Sequence, residues 1–131
     1  MPETGLPPLF DHITLGVRDL SLSRAFYEEA LRPFAVRVVQ SSQGPLGFAT
    51  DGRGDFWIKQ GVGVAGPVHI AFAARDRVTV DAFHRAAVQA GGTDNGRPGL
   101  RPHYHAGYYA AYVLDPDGNN VEAVFNDELS A

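Results

Sequence analysis

Four residues in this chain have the chemistry of a reactive or metal-binding centre. His12 and His69 carry imidazoles, Glu122 carries a carboxylate, and Lys59 is the only lysine among 11 basic residues. Imidazole and carboxylate groups bind divalent metal ions and transfer protons, and an ammonium group can hold negative charge. These residues lie far apart in sequence, so the fold would have to bring them together.

An ungapped internal repeat relates the two histidines. Residues 12–31 read HITLGVRDLSLSRAFYEEAL and residues 69–88 read HIAFAARDRVTVDAFHRAAV, so a constant offset of 57 gives seven identities in twenty positions. Each copy opens with the period-2 alternation of a strand and continues with apolar residues at helical spacing. The repeat predicts two similar modules, spanning about residues 9–60 and 67–126 of a single domain.

The elements after each helix complete the predicted modules. Three β-prone runs follow the first helix, and two follow the second, after a Gly/Pro-rich stretch that leaves one strand unplaced. The runs are Ala35–Gln40, Pro45–Thr50, Asp55–Gln60, Tyr108–Leu114 and Val121–Phe125, and the Gly/Pro-rich stretch is 91–107. We therefore predict an α+β fold of two tandem βαβββ modules, which form a cupped mixed sheet with helices on its outer face.

The alternation along the strands predicts which side chains point away from the helices. We call the sheet face that no helix covers the open face. The apolar residues that follow His12 and His69 in alternation should point at the helices, which leaves both histidines on the open face. Glu122 falls on the same face of the last strand. Matching Ile58-Lys59 with Val121-Glu122 makes Lys59 the predicted counterpart of Glu122.

Composition narrows the classes of partner. The 131 residues are 44% hydrophobic and carry a net charge of −4, with no basic cluster and no apolar run of membrane-spanning length. Nucleic acid and membrane are therefore not expected partners, whereas a small molecule is. The chain has no cysteine, and Met1–Pro8 lacks the features of a signal peptide, which predicts a cytoplasmic location.

At this point the chain resembles the vicinal oxygen chelate superfamily, which includes glyoxalase I, extradiol dioxygenases, fosfomycin resistance enzymes and bleomycin resistance proteins. The resemblance covers nearly the whole chain, and Asp-Pro-Asp-Gly-Asn is its most specific motif. It is carried by Asp11-His12-Ile13-Thr14-Leu15, Arg18-Asp19, Phe26-Tyr27, Val68-His69-Ile70-Ala71-Phe72 and Asp115-Pro116-Asp117-Gly118-Asn119-Asn120-Val121-Glu122.

The resemblance implies a metal site and a reaction. In metal-binding members the matching positions are ligands, which implies that His12, His69 and Glu122 hold a divalent Zn, Ni, Fe, Mn or Co ion. It implies glyoxalase-like lyase or isomerase chemistry on a substrate chelated through adjacent oxygens. An extradiol-dioxygenase-like oxygenase with a two-His-one-carboxylate site is the first alternative. Small members of this fold commonly form homodimers, so the resemblance implies a homodimer, with the site either within one chain or across two.

Lys59 departs from the glyoxalase I pattern, because an ammonium group has no lone pair for a metal. Three interpretations remain open. Lys59 could hold an anionic substrate beside a three-ligand metal site, or it could pair with Glu122 and replace the metal. The second interpretation gives the other alternative function, a non-catalytic binder that resembles bleomycin resistance proteins. In the third, the strand alignment slips by one and Lys59 reaches solvent.

Other residues are expected around the opening of the site. Segment 99–109 is rich in titratable and aromatic groups and could form a lid. Glu122, Lys59 and His105 are the predicted catalytic residues, with His105 as a proton shuttle. Arg18-Asp19 and Arg75-Asp76 are expected to cap helices. The predicted substrate-binding residues are Phe48, Trp57, Arg101, His103, Tyr104 and Tyr108.

Overall fold

A computed structural model of the protein describes residues 9–41, 44–50, 55–61 and 66–127. The first eight residues, on which the expected cytoplasmic location rests, lie outside these ranges. Within them, neither helix has the length and apolar character needed to cross a membrane.

The first module follows the predicted order of strand, helix and three strands. Asp19 begins the helix, because its side chain accepts the backbone N–H of Leu22 at 3.2 Å. A short 3₁₀ turn, Arg32–Phe34, follows the helix. The elements are β1 (Ile13–Val17), α1 (Leu20–Ala30), β2 (Arg37–Gln40), β3 (Leu46–Ala49) and β4 (Phe56–Gln60).

The second module repeats this order and contains the strand that the sequence left unplaced. Asp76 begins its helix by accepting from both the backbone and the hydroxyl of Thr79. The elements are β5 (His69–Ala73), α2 (Arg77–Gln89), β6 (Thr93–Leu100), β7 (Tyr108–Leu114) and β8 (Asn120–Asn126). The capping roles expected for Asp19 and Asp76 are confirmed.

Each module forms one four-stranded mixed sheet. The strand orders are β1-β4-β3-β2 and β5-β8-β7-β6, and in each sheet the opening strand pairs in parallel with the closing strand. The α+β class and the tandem βαβββ arrangement predicted from the repeat are therefore confirmed. β1 begins directly after His12, and β5 begins with His69. Both strands lie at sheet edges.

The apolar faces of both sheets pack against the helices in one core. Val17, Phe26 and Phe83 are fully buried there, and α1 packs against α2. The ring of Phe34, in the 3₁₀ turn, contacts Phe72 from β5 and Phe83 from α2. These contacts join the modules through their helix side and leave the opposite, open faces for other contacts.

Candidate functional site

Alternation along β8 places one carboxylate on the open face of the second sheet. Val121 and Ala123 are in the core and Phe125 packs against it, so Glu122 points the other way, as predicted. Yet only 1% of Glu122 is exposed, because neighbouring side chains of β5 and β7 cover it. A buried carboxylate requires partners.

Both oxygens of Glu122 have partners. Nε2 of His69 lies 2.7 Å from Oε1, and the hydroxyl of Tyr108 donates to Oε2 at 2.5 Å. An ionised carboxylate can only accept hydrogen bonds, so with Glu122 ionised the imidazole of His69 is the donor through Nε2–H. The His69 side chain is 54% exposed, so the imidazole lies between the buried carboxylate and solvent.

Two phenols surround this carboxylate on β7. Burial, followed by the hydrogen bond to Glu122, raises the pKa of Tyr108 well above its usual value. Burial and then the charge of Glu122 raise the pKa of Tyr112 to about 12. Both hydroxyls therefore remain protonated donors at neutral pH. Tyr112 was not among the predicted site residues, although its alternation with Tyr108 on β7 places it on the open face.

The loop between β6 and β7 lies against Tyr108. The ring centroid of Tyr104 is 4.9 Å from that of Tyr108, and those of His105 and His103 lie 5.2 Å from Tyr108 and 4.3 Å from Tyr104. The backbone N–H of Arg101 donates to the carbonyl of Tyr108 at 2.7 Å, which closes the loop tightly. The predicted loop residues thus form one aromatic cluster beside Glu122.

Arg101 uses part of its guanidinium for structure. Its Nη1 and Nη2 donate to the carbonyls of Gly99 and Arg97 at 2.8 and 2.7 Å, and its guanidinium lies 5.3 Å from the ring centroid of Tyr112. These bonds satisfy the irregular backbone of β6. A role for Arg101 in binding substrate stays a prediction. It would use the guanidinium N–H groups that do not donate to these carbonyls.

His12 lies apart from the other two predicted metal ligands. Arg18, at the opposite end of β1, donates to Asp117 at 3.0 Å, in the same turn whose Asn119 binds the backbone just before His69. A strand rises about 3.3 Å per residue, so roughly 20 Å separates His12 from Arg18. The His12 side chain is 53% exposed, and its Nδ1 lies 2.8 Å from Asp11.

The donor chemistry suits a divalent metal ion, but one chain brings only two of the three donors together. Among the residues that the structure describes, no three His, Asp or Glu side chains are close enough to hold one ion. His69 and Glu122 form an adjacent nitrogen and oxygen pair, with an outer hydrogen bond from Tyr108. A complete three-ligand site would need His12 from elsewhere.

The strand registers correct the position predicted for Lys59. In module one Thr14 pairs with Trp57, and in module two the equivalent Ala71 pairs with Glu122. Trp57, not Lys59, is therefore the counterpart of Glu122. Lys59 lies two residues further along β4, on the same face and exposed to solvent. Within one chain, the carboxylate oxygens of Glu122 are bonded to His69 and Tyr108 rather than to Lys59.

Phe48 does not lie on the open face beside Trp57, so the prediction that it contacts substrate there is wrong. Gly47 pairs with Trp57, so its neighbour Phe48 points to the helix side, where it is 1% exposed and stacks against Phe56. Trp57 is half-buried on the open face, and its ring lies directly over Gly47, where a Cβ atom would come within 2.8 Å of it. Glycine is required there for the ring to lie flat.

The Asp-Pro-Asp-Gly-Asn motif is a joint between the modules. Oδ1 of Asp115 accepts the backbone N–H groups of Asp117 and Asn119, and its Oδ2 accepts the hydroxyl of Tyr27 from α1 at 2.5 Å. Oδ1 of Asn119 accepts the N–H of Val68 at 2.9 Å. The motif therefore fixes the residues next to His69 and Glu122 against the first module.

Comparisons with known proteins agree with this architecture. Solved structures with the same fold include a glyoxalase/bleomycin resistance protein from Albidiferax ferrireducens T118, which is 30% identical with a TM-score of 0.76 and covers 90% of this chain and 98% of its own. A glyoxalase-related enzyme from Fulvimarina pelagi is 28% identical, with a TM-score of 0.66 and coverages of 92% and 89%. A search of curated proteins found no match.

One family model covers most of the chain. The model of the Glyoxalase/Bleomycin resistance protein/Dioxygenase superfamily matches residues 9–123, a range that contains both modules up to β8 and includes His12, His69 and Glu122. Together with the duplicated βαβββ fold, this match shows that the chain belongs to the glyoxalase, bleomycin resistance and dioxygenase superfamily.

Proposed function

We propose that this protein is a metal-dependent enzyme of the glyoxalase type, a lyase or isomerase that acts on a small molecule with two adjacent oxygens. The observation that carries the proposal is the buried Glu122 bonded to His69 on the open face. His69 and Glu122 of one chain and His12 of a second copy would hold the ion. When bound, a Zn, Ni, Fe, Mn or Co ion supplies the positive charge that stabilises the substrate oxygens.

The chain's own residues have distinct roles in this proposal. Oε1 of Glu122 takes the proton from the carbon next to the substrate carbonyl and returns it to the neighbouring carbon. The ammonium group of Lys59 stabilises negative charge on substrate oxygen. His105, in the loop against Tyr108, exchanges protons with solvent. Trp57 forms an apolar wall, and His103 and Tyr104 border the opening.

The edges of the two sheets support a homodimer as the working form. β1 and β5 are edge strands, and apolar side chains beside them remain exposed: Phe10 is 68% exposed, Ile13 37% and Val68 36%. A second copy related by a two-fold axis would cover both edges and place His12 beside the partner chain's pair of ligands. The site is incomplete without that copy.

Mixed dimers test both the metal site and its assembly. His12→Ala and Glu122→Ala chains are co-expressed with different tags, and dimers containing one of each are isolated for elemental analysis. Symmetry predicts two ions per wild-type dimer, none in either variant homodimer and one in the mixed dimer. An ion-free mixed dimer beside an ion-containing wild type would overturn assembly across chains. Turnover of α-oxoaldehyde adducts, rather than oxygen-dependent opening of catechols, separates the lyase from the dioxygenase alternative.

A second candidate is a small-molecule binder without a metal. It is favoured by the absence of any three-donor cluster among the described residues of one chain. Wild-type protein purified without chelator that contains no ion, and that neither gains activity nor binds added Ni²⁺, Zn²⁺, Fe²⁺, Mn²⁺ or Co²⁺, would decide for this candidate.

A further inference from the structure

Tyr108 makes a contact with Glu122 that substrate binding does not explain. Its hydroxyl donates to Oε2 of Glu122 at 2.5 Å, while Oε1 faces Nε2 of His69 at 2.7 Å. A carboxylate has two chemically equivalent oxygens and can rotate about its terminal bond. A donor bound to one of them therefore decides which oxygen remains available for other partners.

We infer that Tyr108 is a positioning residue that fixes Oε2 of Glu122, so that Oε1 alone is presented to His69 and to any ligand beside it. Charge-assisted hydrogen bonds of this kind are short and strong, and their strength grows when the acceptor is removed from solvent. Glu122 is 1% exposed, so no bulk water competes with the phenol for Oε2.

The loop against Tyr108 keeps the phenol in place. The backbone of Tyr108 bonds at both its polar groups, to His105 through its N–H at 3.2 Å and to Arg101 through its carbonyl at 2.7 Å. The rings of Tyr104 and His105 contact its ring. The residue before Tyr108 is also held, because the carbonyl of Gly107 accepts the backbone N–H of Asp127 at 2.7 Å. The aromatic loop thereby acts on Glu122 through Tyr108.

A matched pair of substitutions tests the inference in ion-free protein. Tyr108→Phe removes the hydroxyl bonded to Glu122, whereas Tyr109→Phe removes one bonded to Asp81 at 2.6 Å on the helix side. The ¹⁵N shifts of the two ring nitrogens of His69, measured near pH 8, report where its proton lies. We expect the proton on Nε2 in the wild type and in Tyr109→Phe, and a mixture of tautomers in Tyr108→Phe. Unchanged His69 shifts in Tyr108→Phe would overturn the inference.

A second measurement rests on the proposed function and uses Co²⁺ alone as probe. Removal of an outer partner of a metal ligand weakens ion binding roughly 10- to 100-fold, so Tyr108→Phe should lose affinity by this factor and Tyr109→Phe should not. Equal Co²⁺ affinity in wild type and Tyr108→Phe counts against the inference. A wild type that binds no Co²⁺ counts against the proposed function, and the His69 shifts still decide on Tyr108.

Discussion

The same row of positions across the two sheets holds different chemistry in each module. In module one the row runs from Thr14 on β1 through Trp57 on β4 to Gly47 on β3, and the indole ring lies over the glycine. This row contains neither an imidazole nor a carboxylate, the two groups that supply the predicted metal ligands. Its central position is an apolar platform.

In module two the equivalent row runs from Ala71 on β5 through Glu122 on β8 to Tyr112 on β7. The ring of Tyr112 lies over Gly96 on β6, where a Cβ atom would come within 2.7 Å of it. The arrangement of an aromatic ring over a glycine thus recurs one strand further from the opening strand. This outward shift leaves the central position to the carboxylate.

The two modules share one scaffold, and the shift of the aromatic ring by one strand gives their central positions different chemistry. The module-two half offers a buried acidic group with fixed partners, and the module-one half offers an aromatic surface and the exposed Lys59. If a second copy brings the two halves together as proposed, His69 and Glu122 come from one chain, and His12, Trp57 and Lys59 come from the other. Substitutions at matched positions of the two modules should therefore have different effects.

The largest difference is expected between Glu122 and Lys59. Glu122→Ala removes an acceptor of two hydrogen bonds at a buried position and should cost about 3 kcal/mol of the free energy of unfolding. Lys59→Ala changes an exposed side chain and should stay within about 0.5 kcal/mol. Denaturant unfolding of both variants gives the comparison. Similar costs would mean that the two faces are not divided into a buried and an exposed half.

The repeat predicted the opening of each module well, because β1 and β5 are both five residues long, and α1 and α2 both begin directly after a capping aspartate at the constant offset of 57. It could not align the closing strands. The offset grows to 65 between Trp57 and Glu122, since the second module has a longer β6 and a longer loop before β7. Matching Lys59 with Glu122 was therefore wrong by two residues. Because side chains alternate along a strand, a shift of two still placed Lys59 on the correct face.

β6 escaped prediction for a physical reason. Its sequence, TDNGRPGL, has few residues that favour strands, and its register with β7 shifts twice. A strand at the sheet edge tolerates proline and glycine because one side of its backbone needs no ladder partner. That His69 and Glu122 lie on the same face of the sheet followed from alternation alone. The hydrogen bond from Tyr108 required the three-dimensional path of the loop.

A smaller effect is expected at the glycine beneath Trp57. Gly47→Ala would place a Cβ atom 2.8 Å from the indole ring, so the ring must tilt away from β3. Overpacking of this kind costs about 1–3 kcal/mol. The emission of Trp57, the only tryptophan, should shift as its surroundings change. The cost should shrink in a Trp57→Leu background, and an equal cost there would show that the ring is not the cause.

The smallest effect is expected at the cap of α2 and appears only in acid. Asp76 accepts from the hydroxyl of Thr79 at 2.6 Å and from its backbone at 2.8 Å, and these bonds, the hydroxyl first, lower the pKa of Asp76 below its ordinary value of 3.8. A lowered pKa in the folded state contributes stability above the ordinary value. That contribution is lost as pH falls through the lowered value.

Asp76→Asn keeps a good cap but removes the charge. The variant should therefore lose less stability than the wild type as pH falls, while the cap geometry stays intact. Thr79→Val removes the hydroxyl donor and should move the loss of stability toward the ordinary pKa. Asp19→Asn in α1, whose cap accepts the backbone N–H of Leu22, provides the matched substitution in module one. Thermal unfolding between pH 2 and pH 7 measures all three variants. If Asp76→Asn loses as much stability in acid as the wild type, Asp76 is not the source of that loss.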